Sequence, residues 1–406
     1  MPNPRFSLVV PAFNVERYVE RCLRSLVHQT LPAAEILVYD DGSTDGTAAI
    51  AERFAAKHPN VRLTRQSNTG QGAIRNRGIR EASGDYLVFV DSDDELDRRA
   101  LERIAARIGA SLPDVVAFRF QSRYPFRIGG GSSRWDELIA GRDELVGQDT
   151  ELLLTNRWLA PWQAAYRLEF VRHHGLRNGE GYIFEDQEFT AGGFIAAERA
   201  SLVDDALYLY HFNASSSLRE KSHAAQRRRI EGRRRSRQAL VALVARLGAS
   251  DRARALLADH DVHDTVQEVV SGIYSADELT EVLADVTEFL NGLEIRDAAW
   301  LSPGLAQWHA LPPGERDSTS VERLVARLAV AERARVARTI AFRLANAVAA
   351  VGGRGYSVRS ANADQRPNDP GFAAVFRSFP HRMLRRLGTA AGPVVRGVRR
   401  LLGGAS

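Results

Sequence analysis

The chain is poor in sulfur: its 406 residues include two methionines and a single cysteine, Cys22. One cysteine excludes an internal disulfide, and its place on the apolar side of a predicted helix reads as a small buried hydrophobe rather than a reactive thiol. Long apolar runs are also missing. No stretch approaches the roughly 18 residues of a membrane span, and Met1–Phe6 lacks the charged-then-apolar layout of a secretory signal. The expectation is a cytoplasmic chain that is neither exported by that route nor threaded through a bilayer. A third absence concerns charge. The net charge is +5, yet seven arginines and no acidic residue follow Asp369, and without them 48 basic residues face 50 acidic ones. The positive charge is a terminal appendage, so nucleic acid is not an expected partner.

What is present points to a globular chain of more than one unit. Hydrophobic residues make up 44% and charged residues 26%, ordinary proportions, while the length exceeds that of a usual single domain. The first hundred residues alternate short apolar runs with helix-period segments, the pattern of an α/β chain with a parallel sheet. Phe6–Val10, Ile36–Tyr39, Val61–Leu63 and Tyr86–Val90 read as strands. Val15, Tyr18, Val19, Cys22, Leu23 and Leu26 form one helical stripe with Asn14 placed to cap it, and a second helix begins near Thr47. A Gly-rich turn is expected at Gly129–Gly131. Beyond about residue 222 strand signals fade; Val321, Leu324, Val325 and Leu328 mark a helical stripe. The boundaries read as 1–220 for the α/β domain, 221–351 for a helical region, 352–371 for a linker and 372–406 for a basic tail.

Ligands of parallel sheets bind beyond the carboxyl ends of the strands, and here those ends are polar. The first strand runs into Pro11-Ala12-Phe13-Asn14, the second into Asp40-Asp41-Gly42-Ser43, a later one into Asp91-Ser92-Asp93-Asp94. Carboxylates suit a hard divalent cation such as Mg²⁺ or Mn²⁺, and in extended backbone Asp91 and Asp93 point the same way. The same acids read equally as the cap of a helix starting near Leu96. Asp40-Asp41-Gly42-Ser43 suits donors on a base and ribose, or is a solvated turn. In Asn68–Gly78 the glycines permit close backbone approach and Arg75 is placed to pair with a base carbonyl or phosphate, although a flexible surface loop has the same composition.

Taken together, Val10–Asn14, Asp40–Thr47, Arg75-Asn76-Arg77-Gly78, Gly84-Asp85-Tyr86, Phe89–Asp94 and Glu185-Asp186 resemble, in order and spacing, the inverting family two glycosyltransferases of bacterial cell-surface polysaccharide and glycolipid synthesis. The resemblance covers residues 6 to about 218. It implies a GT-A fold, a Rossmann-like, mostly parallel sheet that binds a nucleotide-diphosphate sugar, here followed by the C-terminal α-helical region. It implies Asp93 as metal ligand, with Asp91 near ribose and metal and Ser92 beside them. Asp41 and Arg75 would meet the base, Pro11 and Ala12 would approach it by backbone, and Phe13 would lie against the ring next to Asn14. Asp186 would be the general base, with Glu185 orienting it or binding acceptor. Trp162 would stack on an acceptor sugar or serve as a buried anchor. His211 and Ser217 fall where relatives reach the diphosphate, so His211 pairs with phosphate or ligates the metal.

The expected partners follow: a nucleotide-sugar donor, probed first as a UDP-sugar, a saccharide or lipid-linked acceptor, and a Mn²⁺ or Mg²⁺ cofactor. Arginines interleaved with apolar residues from Phe379 to Leu402 suit attachment to an anionic membrane surface, which would make the protein peripheral at the inner face of the cell membrane. Arg227–Arg229 and Arg233–Arg237 read as the exposed face of a helix. The rival reading is a non-catalytic membrane-surface scaffold that retains the fold. Sequence alone leaves the oligomeric state, the sugar and the linkage open.

Overall fold

The computed structural model describes residues 3–124, 127–130, 141–155, 159–211, 213 and 222–351. Two compact units result, one of residues 1–265 and 273–322, the other of 266–272 and the chain from 323 onward. The expected linker and basic tail, 352–406, lie outside the described residues, as does Ser217.

The first unit is built on a mixed, mostly parallel sheet. Strands β1 (Phe6–Ala12), β2 (Glu35–Asp40), β3 (Val61–Arg65) and β4 (Tyr86–Phe89) lie side by side in the order β3-β2-β1-β4, all parallel. All seven residues of β1 are buried, as a strand covered on both faces requires. Phe6, Leu8 and Val10 join one core cluster with Val19, Cys22, Leu23 and Leu26 of helix α1 (Glu16–Val27). Val9 points the other way, toward α3 (Gln71–Glu81), whose Gly78 admits it: a Cβ there would sit 2.5 Å from a Val9 methyl. Helix α2 (Thr47–Lys57) completes the crossover from β2 to β3. The remaining strands are β5 (Glu95–Leu96), β6 (Val115–Tyr124), β7 (Arg127–Gly130), β8 (Glu144–Val146), β9 (Ala164–Arg167) and β10 (Arg199–His211), with α4 (Ala100–Ile108) between β5 and β6. β9 is antiparallel to both β4 and β6, and β6 runs parallel to β10.

Several local expectations change. Asn14 does not cap α1. It takes a left-handed φ of 51° and accepts the Thr44 N–H through its Oδ1 at 2.9 Å. The N–H groups at the start of α1 are satisfied from the loop after β2 instead, Val15 donating to Thr47 Oγ1 at 2.8 Å and Glu16 to Asp45 Oδ2 at 3.1 Å. No helix begins at Leu96: Glu95 and Leu96 pair with Leu209 and Tyr208 of β10, and α4 starts at Ala100. The glycine-bearing stretch from Gln71 is the helix α3, not a surface loop, and Gly129 and Gly130 belong to strand β7.

The helices that follow are α5 (Leu168–His173), α6 (Asp186–Ala196), α7 (His223–Arg246), α8 (Asp251–Val270), α9 (Ala276–Gly292), α10 (Pro303–His309) and α11 (Ser318–Val351). Val321, Leu324 and Val325 are buried as the stripe predicts. The arginine-rich helix departs from expectation. Arg229, Arg233 and Arg237 recur every fourth residue, which places them on one helical face, and all three are buried. Arg237 pairs with Asp261 at 2.9 Å and Arg233 with Asp264 at 2.9 Å, so part of the run faces acidic partners on α8, while Arg227, Arg228 and Arg235 are exposed as expected. Among the described residues, no helix is long and apolar enough to cross a membrane.

Candidate functional site

The carboxyl ends of β1, β2 and β4 form one rim. At the end of β2, Asp41 is 2% exposed and turns its carboxylate toward the next loop: Oδ1 accepts from the Thr69 N–H at 2.9 Å and from Gln66 Nε2 at 3.0 Å, and Oδ2 accepts from the Gly70 N–H at 2.8 Å. Gly42, at φ +80°, lets the backbone turn there. Asp41 therefore shapes the loop leading into α3. Pro11 and Ala12 are buried at the end of β1, whereas the following Phe13 is 47% exposed, a large apolar surface at the rim.

The acids after β4 divide by environment. Asp94 is buried; its Oδ2 accepts from the Tyr208 hydroxyl at 2.8 Å and its Oδ1 from the His211 N–H at 2.6 Å. Burial, then the charges of Asp93 and Asp91, push its carboxyl well above the ordinary range. The same Tyr208 oxygen accepts from the Asp91 N–H at 3.1 Å, so β10 holds the turn in place. Asp91 and Asp93 are only partly buried, and Ser92 between them is buried. Asp93 Oδ2 accepts from Asn213 Nδ2 at 2.9 Å, and Arg21 donates to the Asp93 carbonyl at 2.6 Å.

Arg75 joins this rim to the candidate base. It is 2% exposed, and its Nη2 donates to Asp91 Oδ1 and its Nη1 to Glu185 Oε1, each at 2.8 Å. Burial opposes its charge, but the two carboxylates outweigh that and raise its proton affinity. Both terminal nitrogens are thus engaged by carboxylates, which makes Arg75 a tie between two parts of the site as well as the expected contact for a base or phosphate. Asp186 is the first residue of α6 and only partly buried. Burial, then the charge of Glu185, raise its carboxyl from 3.8 to about 7. Glu185 is raised as well, burial prevailing over Arg75.

The segment before Asp186 is fixed by α3. Asn76 Nδ2 donates to the Asn178 carbonyl at 2.9 Å and to Glu180 Oε1 at 2.8 Å, and its Oδ1 accepts from the Asn178 N–H at 2.8 Å. Gly72 leaves space that the Gly179 carbonyl fills, since a Cβ on Gly72 would collide with that oxygen. Asn178, Tyr208, Asn213 and Arg21 were not singled out from sequence. Tyr208 and Asn213 had a signal, lying within and just after the aromatic-rich run that ends β10.

Of the two readings of Trp162 one remains, and the expected role of His211 changes. Trp162 is not placed to stack on a sugar: it is 4% exposed, with its ring stacked on Tyr208 at 4.3 Å and Phe120 edge-on at 5.2 Å, which makes it the buried anchor. His211 has its Nε2 2.6 Å from Glu95 Oε1, so its ring is engaged there rather than with Asp93; burial, then Arg21, lower its proton affinity.

The acids after β4 fit a divalent cation supplied with a diphosphate. Asp91 gives its Oδ1 to Arg75 and Asp93 its Oδ2 to Asn213, and burial, then the charge of Asp91, raise the Asp93 carboxyl, as crowded and partly buried carboxylates require. Among the described residues no group of three or more His, Cys, Asp or Glu could hold an ion alone. Diphosphate oxygens would have to complete the coordination.

The chain is similar to known glycosyltransferases. An uncharacterized glycosyltransferase, EpsJ of Bacillus subtilis, is 31% identical over 215 residues, 52% of this chain and 62% of EpsJ. Another, YibD of Escherichia coli, is 31% identical over 219 residues, again 52% of this chain and 62% of the relative. The chain thus spans under two thirds of the length of these relatives. Among solved structures, Staphylococcus aureus TarS 1-349 in complex with UDP-GlcNAc superposes with a TM-score of 0.66 at 22% identity, over 79% of this chain and 90% of that one, and shares the fold. Residues 7–154 match the model of glycosyl transferase family 2. The parallel sheet is in keeping with this match: residues 7–154 carry a glycosyl transferase family 2 domain.

Proposed function

We propose that the chain is an inverting glycosyltransferase that moves a sugar from a UDP-sugar to a hydroxyl of a saccharide or lipid-linked acceptor in cell-envelope polysaccharide or glycolipid synthesis. The observation that carries this reading is Arg75, whose guanidinium bonds both Asp91 and Glu185 and so brings the acids of the β4 end and the carboxyl of Asp186 to one rim. The donor's base finds an apolar surface in Phe13 and backbone in Pro11 and Ala12, beside the loop that Asp41 holds. TarS, solved with UDP-GlcNAc and with UDP, is named a poly(ribitol-phosphate) beta-N-acetylglucosaminyltransferase, which favours a UDP donor and an envelope acceptor.

In the reaction the acceptor oxygen attacks the anomeric carbon from the side opposite the diphosphate. The bond from that carbon to the diphosphate oxygen breaks, the acceptor proton passes to a carboxylate oxygen of Asp186, and the anomeric configuration inverts. A carboxyl near 7 is suited to this, because the base form is populated at neutral pH and still binds a proton well. Glu185 is pinned beside Asp186 by Arg75. Asp93 and Asp91 are the residues to hold Mn²⁺ or Mg²⁺, which when bound would neutralise the departing diphosphate. The arginine-rich segment 372–406 would bring the enzyme to an anionic inner membrane surface.

The test is a panel of nucleotide-diphosphate sugars incubated with the full chain and Mn²⁺ or Mg²⁺, read by release of nucleoside diphosphate. At least one UDP-sugar should be consumed, and Asp186→Asn should bind UDP yet turn the donor over about 10²- to 10⁴-fold more slowly. A chain that neither binds nor consumes any donor is not this enzyme.

A further inference from the structure

Two elements close on the segment that carries Asp186. From one side comes α3, through Gly72, Arg75 and Asn76. From the other comes α7, about fifty residues later in the chain. Gly232 lies so close that a Cβ on it would sit 2.5 Å from the Ile183 carbonyl oxygen. The Arg233 guanidinium stands 3.9 Å over the centre of the Phe184 ring, and that of Arg235 stands 4.5 Å over Tyr182. Arg235 donates to the carbonyls of Glu180 and Gly181 at 3.2 Å, and Ser236 Oγ donates to Gln187 Oε1 at 2.8 Å.

Phe184, in the middle of this contact, has a φ of +67°. A bulky residue without the freedom of glycine is disfavoured there, and such a conformation persists only where neighbours over-determine it. It stands directly before Glu185-Asp186, so its backbone sets where both carboxylates point. Arg233 is buried and itself fixed by Asp264 at 2.9 Å, whose carboxyl is held below its ordinary value because, against burial, the charge and hydrogen bond of Arg233 act together with His260 and His263. A planar guanidinium can face a ring and pair with a carboxylate at once, as a lysine ammonium cannot.

We propose that Arg233 is a positioning residue for the transfer: by covering the Phe184 ring it keeps that residue in its left-handed backbone and so aims Glu185 at Arg75 and Asp186 at the acceptor. This rests on the transferase reading above. It gives the helical region a direct part in the chemistry while no residue of that region need touch the reacting atoms.

The experiment uses the full chain as wild type, Arg233→Met, Arg233→Lys, Phe184→Leu, the double variant Arg233→Met with Phe184→Leu, and Arg235→Gln. Three quantities are read: amide hydrogen exchange over 180–187, UDP affinity with Mn²⁺ by calorimetry, and kcat for the donor that the panel identifies. Arg233→Met should speed exchange over 180–187 but not in β1–β4, and should lower kcat on the order of 10- to 100-fold by misplacing the base. UDP affinity should stay within about twofold, because Arg75 keeps its bond to Asp91 when Glu185 shifts. Lysine should restore protection in part and kcat little. The double variant should lose no more than Arg233→Met alone, since both changes break the same contact.

Unchanged exchange over 180–187, a parallel fall of UDP affinity and kcat, or losses that multiply in the double variant would each overturn the proposal. Should Arg233→Met not fold, the exposed Arg235→Gln carries the test: it should loosen 180–182 and lower kcat by roughly two- to fivefold through the same misplacement, and absence of either effect counts against the clamp. A wild type that neither binds UDP nor consumes a donor would remove the transferase reading, while exchange over 180–187 would still decide whether Arg233 holds the segment.

Discussion

The rim at the ends of β1, β2 and β4 and the segment 178–187 are held by opposite means. The ends of β1 and β2 are tied by partners 28 to 32 residues away within one α/β unit: Asp41 to Thr69 and Gly70, Asn14 to Thr44, Val15 to Thr47. The segment 178–187 depends on side chains distant in sequence, Arg75 and Asn76 on α3 and Arg233, Arg235 and Ser236 on α7. The part of the rim at β1 and β2 is thus held within one crossover, the acids after β4 lean on β10, and the side that would accept the proton is assembled from elsewhere. Removing one member of the first should weaken binding; removing one of the second should spare binding and cost turnover.

The sharpest test of that division is Asp186→Asn. It should lower kcat by about 10²- to 10⁴-fold, the usual worth of a general base, with UDP affinity retained in calorimetry. Arg75→Met should break the comparison, because Arg75 belongs to both halves. It leaves Asp91 and Glu185 facing each other without their shared cation, and removal of one partner from a buried pair costs about 3–5 kcal/mol. Urea unfolding should report that loss, and UDP binding and turnover should fall together. Gly72→Ala acts on the second half alone. Its methyl would displace the Gly179 carbonyl, so stability should drop by about 1–3 kcal/mol, the range for overpacking, and turnover should fall more than UDP affinity.

The same division explains what sequence could reveal. The parallel strands, the α1 stripe and the polar strand ends were legible because each is written in consecutive residues: an apolar run of fixed period, then acids and glycines. Asp186 was legible only through resemblance, since Glu185-Asp186 by itself reads as the acidic first turn of a helix. Where partners come from distant elements, local reading failed. Nothing near Asn14 shows that Thr44 will claim its side chain, or that Thr47 and Asp45 will serve the start of α1. Nothing near Trp162 shows that Tyr208 will cover its ring. The arginines of α7 looked solvated because their acidic partners, Asp261 and Asp264, lie more than twenty residues on. Periodicity did carry a trace of this: arginines at 229, 233 and 237 mark one face, the spacing of an interface as much as of a surface.

Protonation separates the halves at the smallest scale. The Asp186 carboxyl is raised from 3.8 to about 7 by burial and by Glu185, so between those values the folded protein holds a proton that the unfolded chain has released. Stability therefore falls as pH rises through this window, and the base form needed for transfer is the form that the fold disfavours. Asn at 186 resembles the protonated acid at every pH. Asp186→Asn should match wild type in thermal unfolding near pH 4 and exceed it at pH 8, by about 2–4 °C for each kcal/mol of burial penalty removed. Over the same window wild-type kcat/KM should rise about tenfold per pH unit and level off above 7, Asp186 and Glu185 titrating as a pair. Phe13→Ala, on the nucleotide side, should lower activity and leave the midpoint of that profile in place. A midpoint that moves with Phe13, or an unfolding temperature of Asp186→Asn that tracks wild type at pH 8, would mean that the raised carboxyl belongs to some other group and that the two sides of the rim share one set of protons.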